Sequence, residues 1–245
     1  MSESAIECHK LLKSYGQNRV LDEIDLRVDA GSFYALVGVN GCGKSTMIKA
    51  ILDLVAIDRG SIELFGISHR QVSSRNQVAY LPDRFSPPAY LRCKEYFQYM
   101  LELYANKQSS RQIEEMLDML ALDRTIMDSS VRRLSKGMTQ KLGIASCLLS
   151  GKKLLMLDEP MSGLDPRARA SFKRQLFRLK QQGVTLFFSS HLLADVDELA
   201  DRMAVLHRRQ VCFEGTPGEF RQTYRGGNLE QAYINCIDKI DQSPL

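Results

Sequence analysis

Apolar residues follow different patterns in different parts of the chain, and these patterns predict its elements. Ile24, Leu26 and Val28 alternate with Asp25 and Arg27, which is typical of a half-exposed strand in a small antiparallel sheet. Later apolar runs are continuous rather than alternating, and they occur at 33–37, 154–157, 185–188 and 203–206. Continuous runs separated by helices indicate strands of a parallel sheet that is covered on both faces.

The segment from 90 to 150 has a helical period almost throughout, which predicts a helical lobe inserted into the α/β body. Apolar residues between Ile113 and Leu120 keep the i, i+3, i+4, i+7 spacing of one helical face. Ser109 and Gln112 precede them with the spacing of a capping box.

A later helix has clear boundary signals, and the end of the chain has few. Asp165 is placed to cap this helix, Pro166 suits its first position, and the pattern closes before Gly183. From about Arg225 onwards no strong periodicity is visible. The sequence therefore predicts a core of residues 1–84 and 151–220, an inserted helical subdomain at 85–150 and a C-terminal tail at 221–245.

Composition narrows the class of protein. With 44% hydrophobic and 25% charged residues among 245, the chain has the composition of an ordinary globular protein. A net charge of +4 is too small for a nucleic-acid footprint. The six cysteines include no C-x-x-C pair and follow no apolar leader, which favours reduced thiols in the cytoplasm. No apolar run approaches about 18 residues, so we expect another chain to supply any path through a membrane.

The stretch GVNGCGKST, from Gly38 to Thr46, has the spacing of a phosphate-binding loop. Because its glycines lack Cβ atoms, backbone N–H groups can turn toward one oxyanion, and the helix that follows adds a partial positive charge. Lys44 can reach the β- and γ-phosphates of a nucleotide, and the Ser45 hydroxyl can ligate Mg²⁺. The apolar run before the loop and the helical pattern after it supply the context that this motif requires.

Two adjacent carboxylates, Asp158 and Glu159, follow four consecutive apolar residues. They are therefore expected at the C-terminal end of a central strand, the edge of a parallel sheet where ligands bind. Asp158 would hold Mg²⁺ through water, and Glu159 would act as general base toward the attacking water. Combined with the phosphate loop, this pair predicts binding and hydrolysis of ATP.

These motifs and three more occur in one order that resembles the nucleotide-binding subunits of ATP-binding-cassette (ABC) transporters. LSKGM at 134–138 resembles the signature loop of that family, residues 162–165 resemble its D-loop, and His191 resembles its switch histidine. The likeness runs from about Tyr15 to about Gly218. It implies a P-loop NTPase core with a mainly parallel sheet, an N-terminal antiparallel β-subdomain and an inserted α-helical subdomain.

The resemblance also implies roles for individual residues. Tyr15 would stack on adenine, and His191 would contact the γ-phosphate and orient the attacking water. The implied nucleotide contacts are Tyr15, Asn40, Gly41, Cys42, Gly43, Lys44, Ser45, Thr46, Ser135 and Gly137. The implied catalytic residues are Lys44, Glu159 and His191, and the implied Mg²⁺ ligands are Ser45, Asp83 and Asp158.

The partners follow from the same resemblance. Two copies, or a copy and a related subunit, would pair head to tail, so that each ATP lies between one phosphate loop and the opposite signature loop. The dimer would drive a separate integral membrane permease from the cytoplasmic face of the membrane. No nucleic-acid partner is expected.

The chain departs from the family pattern in two places. Asp83 stands where the Q-loop usually has glutamine; a carboxylate can reach Mg²⁺ or water but lacks the amide donor. Lys136 and Met138 stand where the signature commonly has glycine and glutamine. These features resemble the branch whose permeases export drugs, lipids or polysaccharides, and they favour export over import.

Three other functions are compatible with parts of the sequence. A soluble ABC protein acting on ribosomes or nucleic acid is disfavoured by the single cassette and the faint basic excess. A P-loop kinase of a small metabolite would need neither a signature loop nor a D-loop. A non-hydrolysing interaction module would not need Lys44, Asp158 and Glu159 intact.

An aromatic stretch at 90–104 has two interpretations. Its tyrosines and phenylalanine can pack the interior of the helical lobe. Alternatively, its exposed edge, together with the segment from Phe85 to Tyr90, can form a groove for a short helix of the membrane subunit.

Overall fold

The structure is a computed structural model, and it describes residues 3–242. The strands are β1 (Ser4–Tyr15), β2 (Asn18–Asp29), β3 (Phe33–Val37), β4 (Arg59–Leu64), β5 (Ile67–Ser68), β6 (Val78–Leu81), β7 (Leu154–Asp158), β8 (Thr185–Ser190), β9 (Arg202–His207) and β10 (Gln210–Gly215). The α-helices are α1 (Lys44–Ile51), α2 (Cys93–Leu103), α3 (Ser110–Met119), α4 (Lys136–Leu148), α5 (Pro166–Gln181), α6 (Leu193–Leu199), α7 (Pro217–Thr223) and α8 (Leu229–Gln242).

The chain divides into two compact units. The first unit combines Met1–Arg75 with Thr185–Leu245, and the second is Asn76–Val184. The predicted core and inserted subdomain divide the chain at other positions, and those boundaries stay a prediction.

The first unit contains an antiparallel sheet with strand order β2-β1-β4-β5. Along β2, Ile24, Leu26 and Val28 are buried whereas Asp25 and Arg27 are exposed. The alternating pattern of the sequence therefore predicted both the strand and its buried face.

A second group of strands in this unit is mainly parallel. Strand β3 lies between β8 and β9 and runs parallel to both, and β10 pairs antiparallel with β9. Every residue of β3 and of β8 is buried. The predicted mainly parallel sheet and N-terminal antiparallel sheet are thus confirmed.

The second unit joins a parallel strand pair, β6 and β7, to helices α2 to α5. The predicted capping box at the start of α3 is present: the Ser109 hydroxyl accepts from the Gln112 N–H at 3.3 Å, and the Gln112 side chain accepts from the Ser109 N–H at 2.8 Å. Helix α5 has Asp165 as its N-cap and Pro166 as its first residue. Both helix boundaries were predicted from the sequence.

The predicted C-terminal tail (221–245) contains helical structure that was not predicted. Helix α8 buries Leu229, Ala232 and Cys236, of which only the first is a large apolar residue. Its apolar residues, at 229, 232, 233, 236, 237 and 240, nevertheless recur at helical spacing, so the helix was predictable from the sequence and was missed. Residues 243–245 of the tail lie outside the described part of the chain.

Between residues 3 and 242, none of the helices has the length and apolar character that a membrane crossing requires.

Candidate functional site

The loop from Gly38 to Gly43 joins β3 to α1 through glycines in left-handed conformations. Gly41 has φ +82° and Gly43 has φ +116°. A Cβ atom at Gly43 would come within 3.1 Å of Val20 Cγ1 and 3.2 Å of Leu21 Cδ2. Both the backbone conformation and the close approach of β2 therefore require glycine at this position.

Lys44, the first residue of α1, has its ammonium group inside this loop. The side chain is buried, and its Nζ donates to the carbonyl oxygen of Gly38 at 2.7 Å and to that of Val39 at 3.3 Å. A buried cation thus lies at the N-terminus of a helix whose first N–H groups have no helical partner. This combination suits an anion such as a phosphoryl group.

Other predicted nucleotide contacts of the first unit lie at element ends. Tyr15 ends β1 and is 49% exposed, with the Lys13 ammonium 4.8 Å from its ring centroid. His191 follows β8 directly and is exposed. In and after the phosphate loop, Asn40 and Gly41 are exposed, whereas Cys42, Ser45 and Thr46 are half-buried.

In the second unit, Asp83 and Asp158 leave the strand pair at the same edge. Strands β6 and β7 are parallel with Leu81 opposite Leu157, so both carboxylates follow the C-terminal strand ends. Burial raises the pKa of Tyr80 to about 12, and the charges of Asp158 and Asp83 add to the effect. One tyrosine hydroxyl therefore lies within electrostatic reach of both carboxylates.

Glu159 has a backbone conformation that is uncommon outside glycine. Its φ is +50°, and its carbonyl oxygen accepts a hydrogen bond from the Ser162 N–H at 3.1 Å. Asp158 before it is buried, whereas Glu159 itself is only half-buried. The turn after β7 thus gives the two adjacent carboxylates different environments, as their different predicted roles require.

The signature loop begins α4. The Ser135 hydroxyl accepts from the Met138 N–H at 3.3 Å and so acts as N-cap, while the residue itself stays exposed. A Cβ atom at Gly137 would lie 3.2 Å from the carbonyl oxygen of Gly163, so α4 approaches the D-loop closely here. The predicted contact of Ser135 and Gly137 with a γ-phosphate stays a prediction.

Lys141 is a site residue that the sequence did not reveal. Its buried side chain donates to Asp165 Oδ2 at 2.7 Å, and this bond holds the pKa of the Asp165 carboxyl below its usual range. The partners are separated by more than twenty residues, so no local motif indicates the pair. The bond connects the signature helix to the D-loop.

A groove of about 710 Å³ lies beside the Q-loop. Residues from the segments 83–89 and 131–140 line it, and the apolar ones include Phe85, Val131 and Leu134. The aromatic stretch at 90–104 lies partly in the interior and partly at the surface. Tyr96 and Phe97 are buried, which agrees with the packing interpretation, whereas Tyr90 is 83% exposed and Tyr99 is 48% exposed.

The oxygen ligands predicted for Mg²⁺ belong to different units. Ser45 lies in the first unit, and Asp83 and Asp158 lie in the second. Within residues 3–242, no group of three or more His, Cys, Asp or Glu side chains could hold a metal by itself.

The strand, glycine loop, buried lysine and helix define a nucleotide-binding P-loop protein. The family model described as "ABC transporter" matches residues 21–162. The chain belongs to the ABC transporter family.

Relatives of the chain are ATP-binding proteins of transporters. It is 36% identical to an uncharacterized ABC transporter ATP-binding protein of Synechocystis over 81% of this chain and 57% of the relative. It is 32% identical to the lantibiotic transport ATP-binding protein SrtF of Streptococcus pyogenes over 95% and 97% of the two chains. It is 33% identical to the daunorubicin/doxorubicin resistance ATP-binding protein DrrA of Streptomyces peucetius over 92% and 69%. The chain thus spans little more than half of the first relative and nearly all of the second.

A solved structure has the same fold. An ATP-binding subunit of an ABC transporter superposes with a TM-score of 0.85 at 30% identity, over 95% of this chain and 99% of that one. The fold class that the sequence predicted is confirmed by this likeness.

Proposed function

We propose that the chain is the ATP-hydrolysing subunit of an ABC transporter, and that it dimerises around two ATP molecules and drives a separate membrane permease. The observation that carries the proposal is the buried Lys44 ammonium within the glycine loop at the start of α1. The kinase hypothesis does not account for the signature loop, and relatives such as SrtF are named for transport rather than for ribosomes or nucleic acid.

The residues of the site divide the chemical work. Lys44 and the N–H groups of the loop hold the β- and γ-phosphates, and Glu159 accepts a proton from the attacking water. His191 donates a hydrogen bond to the γ-phosphate and orients that water. Tyr15 stacks on the adenine ring.

Magnesium fits the donor set of this site. The Ser45 hydroxyl and the Asp158 carboxylate are hard oxygen ligands, and Asp83 lies at the same strand edge as Asp158. Bound with the nucleotide, Mg²⁺ would neutralise charge on the β- and γ-phosphate oxygens. Asp83, in the position of the usual glutamine, would contribute a charge where the family has an amide.

We infer that the active site is composite. In a head-to-tail dimer, Ser135 and Gly137 of one copy close over the γ-phosphate held by Lys44 of the other. The exposed Ser135 hydroxyl and the N-terminus of α4 are suited to this contact because both can donate to an anion.

The permease partner and the direction of transport belong to the same proposal. The groove beside Asp83, with the exposed Tyr90 nearby, would receive a short helix of the permease at the inner face of the membrane. DrrA is named for daunorubicin and doxorubicin resistance. By analogy with this relative, we propose that the permease driven by this chain exports its substrate.

Glu159→Gln tests the proposal. The amide cannot accept the proton of the attacking water, so we expect phosphate release to fall at least about 100-fold while ATP still binds. The variant should elute as a dimer on gel filtration with Mg-ATP and as a monomer with Mg-ADP. Lys44→Ala is the matched control, which should neither bind ATP tightly nor dimerise.

Two results would contradict the proposal. A Glu159→Gln protein that binds ATP yet stays monomeric would refute the composite dimer. Transfer of the γ-phosphoryl group from ATP to a small metabolite, in place of free phosphate, would identify a kinase.

A further inference from the structure

Three of the six cysteines converge in the first unit. They come from different elements: Cys42 from the phosphate loop, Cys212 from β10 and Cys236 from α8. All three contribute to raising the pKa of the Tyr233 hydroxyl, although burial is the larger cause. Neither Cys212 nor Cys236 belongs to a sequence motif of the proposed ATP site.

Cys212 and Cys236 form a pair within this group. Their side chains are hydrogen bonded to each other. Cys212 Sγ also lies 3.3 Å from the carbonyl oxygen of Val205, and Cys212 is half-buried whereas Cys236 is fully buried. The pair thus has one member near the surface and one in the interior.

The two thiols differ in acidity. The hydrogen bond with Cys212 lowers the pKa of Cys236 to about 7, with further lowering by Tyr224 and by the charge of Lys239. The same hydrogen bond and burial raise the pKa of Cys212. A thiolate beside a neutral thiol is the state from which disulfides form.

Helix α8, which carries Cys236, is held beside the turn between β9 and β10, and β10 carries Cys212. Asp241 near the end of α8 pairs with His207 at 2.9 Å and with Arg208 at 3.0 Å, both at the β9–β10 turn. The side-chain amide of Asn235 donates to the Tyr224 carbonyl oxygen at 2.8 Å. The sulfur atoms can therefore approach bonding distance by local adjustment of a packed helix.

We propose that Cys212 and Cys236 form a reversible disulfide that fastens α8 to β10. With hydrogen peroxide as oxidant, the Cys236 thiolate attacks one peroxide oxygen, the O–O bond breaks and hydroxide leaves. Cys212 sulfur then displaces the oxygen of the resulting sulfenic acid, and that oxygen leaves as water with the remaining protons. The hydroxide takes up the proton that Cys236 released on ionisation, so the two thiols lose two electrons and peroxide is reduced to two molecules of water.

The bond would stiffen a wall of the phosphate-loop region. A cavity of about 320 Å³ is lined both by Val39–Cys42 of the loop and by His207–Arg209 of the turn that Asp241 holds. Because Asp241 of α8 holds this turn, a disulfide that fixes α8 also fixes the turn residues that line the cavity. Such a site is independent of the proposed transport function.

Peptide mapping tests the proposal directly. Trypsin places Cys212 in peptide 210–221, Cys236 in peptide 226–239 and Cys42 in peptide 28–44, with one cysteine in each. After treatment of the folded full chain with hydrogen peroxide and alkylation of free thiols, we expect a 210–221/226–239 cross-linked peptide that dithiothreitol removes. Because the bond closes a loop of about 25 residues, the oxidised protein should melt about 5 °C higher.

Matched variants separate the pair from general thiol oxidation. Cys212→Ser and Cys236→Ser should each abolish the cross-link and the change in melting temperature, whereas Cys8→Ser, which removes a distant buried thiol, should retain both. Cross-linking of peptide 28–44 to either partner in place of the proposed bond would overturn the assignment. Recovery of both peptides fully alkylated from the oxidised protein would also overturn it.

Discussion

The ion pair between Lys141 and Asp165 is a single-residue feature whose pH dependence can be predicted. The bond lowers the pKa of Asp165 in the folded protein. Its contribution to stability is therefore fully present above the unfolded pKa, about 4, and is lost as the pH falls through the lower folded pKa. Asp165→Asn should remove this contribution while keeping a good helix cap, because asparagine also caps helices well.

The measurement is urea unfolding of the natural protein and of Asp165→Asn between pH 7 and pH 2.5. We expect the natural protein to be the more stable one near pH 7 and the difference to disappear toward the acidic end. Lys141→Met removes the other partner of the ion pair and should give the same change of the stability difference with pH. A difference that stays constant with pH would show that the carboxylate charge does not stabilise the fold.

Single residues were predictable where their neighbours in sequence identify them. Lys44 was found because glycines at fixed spacing precede it, and Asp158 because an apolar run ends before it. Lys141 and Tyr80 were missed. Lys141 is distinguished by its ion pair with Asp165, and Tyr80 by the charges of Asp158 and Asp83, which add to the raised pKa of its hydroxyl. Pairings of this kind depend on the fold and leave no local pattern.

The capping box of α3 allows a prediction for a whole element. Ser109→Ala removes the acceptor of the Gln112 N–H and should lower the free energy of unfolding by about 1 kcal/mol. Ser110→Ala, one residue further on, is the control and should change it by less than about 0.5 kcal/mol. Chemical denaturation measures both; equal effects of the two substitutions would show that the cap does not stabilise the helix.

Elements were predictable in proportion to the strength of their pattern. The helix opened by Asp165 and Pro166 has strong boundary signals, and β3 is a continuous apolar run; both occur as predicted. Helix α8 packs through Ala232 and Cys236, and its side-chain bonds run through Asn235 and Asp241. Helix α8 is the exception, because its apolar positions 229, 232, 233, 236, 237 and 240 also keep helical spacing and the helix was nevertheless not predicted.

On the scale of the whole molecule, the proposed function depends on surfaces that a single copy leaves incomplete. Lys44 and Ser135 belong to different compact units of one chain, and the proposed dimer pairs Lys44 of each copy with Ser135 of the other. No pattern within one sequence specifies such a pairing between copies. Its consequence can nevertheless be tested with mixtures of variants.

Lys44→Ala damages the phosphate loop and Ser135→Arg blocks the signature loop, so each variant alone should release no phosphate from ATP. In a mixed dimer both defects fall in one composite site, and the second site keeps an intact Lys44 and an intact Ser135. Each mixed dimer has one intact site of two, so an equal mixture should recover phosphate release that neither variant shows alone, up to about half of the natural level if all copies pair as mixed dimers. The control is a copy carrying both substitutions, which forms no intact site with either single variant and should restore nothing. Differently tagged copies show whether mixed dimers form. If they form and the mixture of Lys44→Ala and Ser135→Arg releases no more phosphate than this control, a site shared between two chains is refuted.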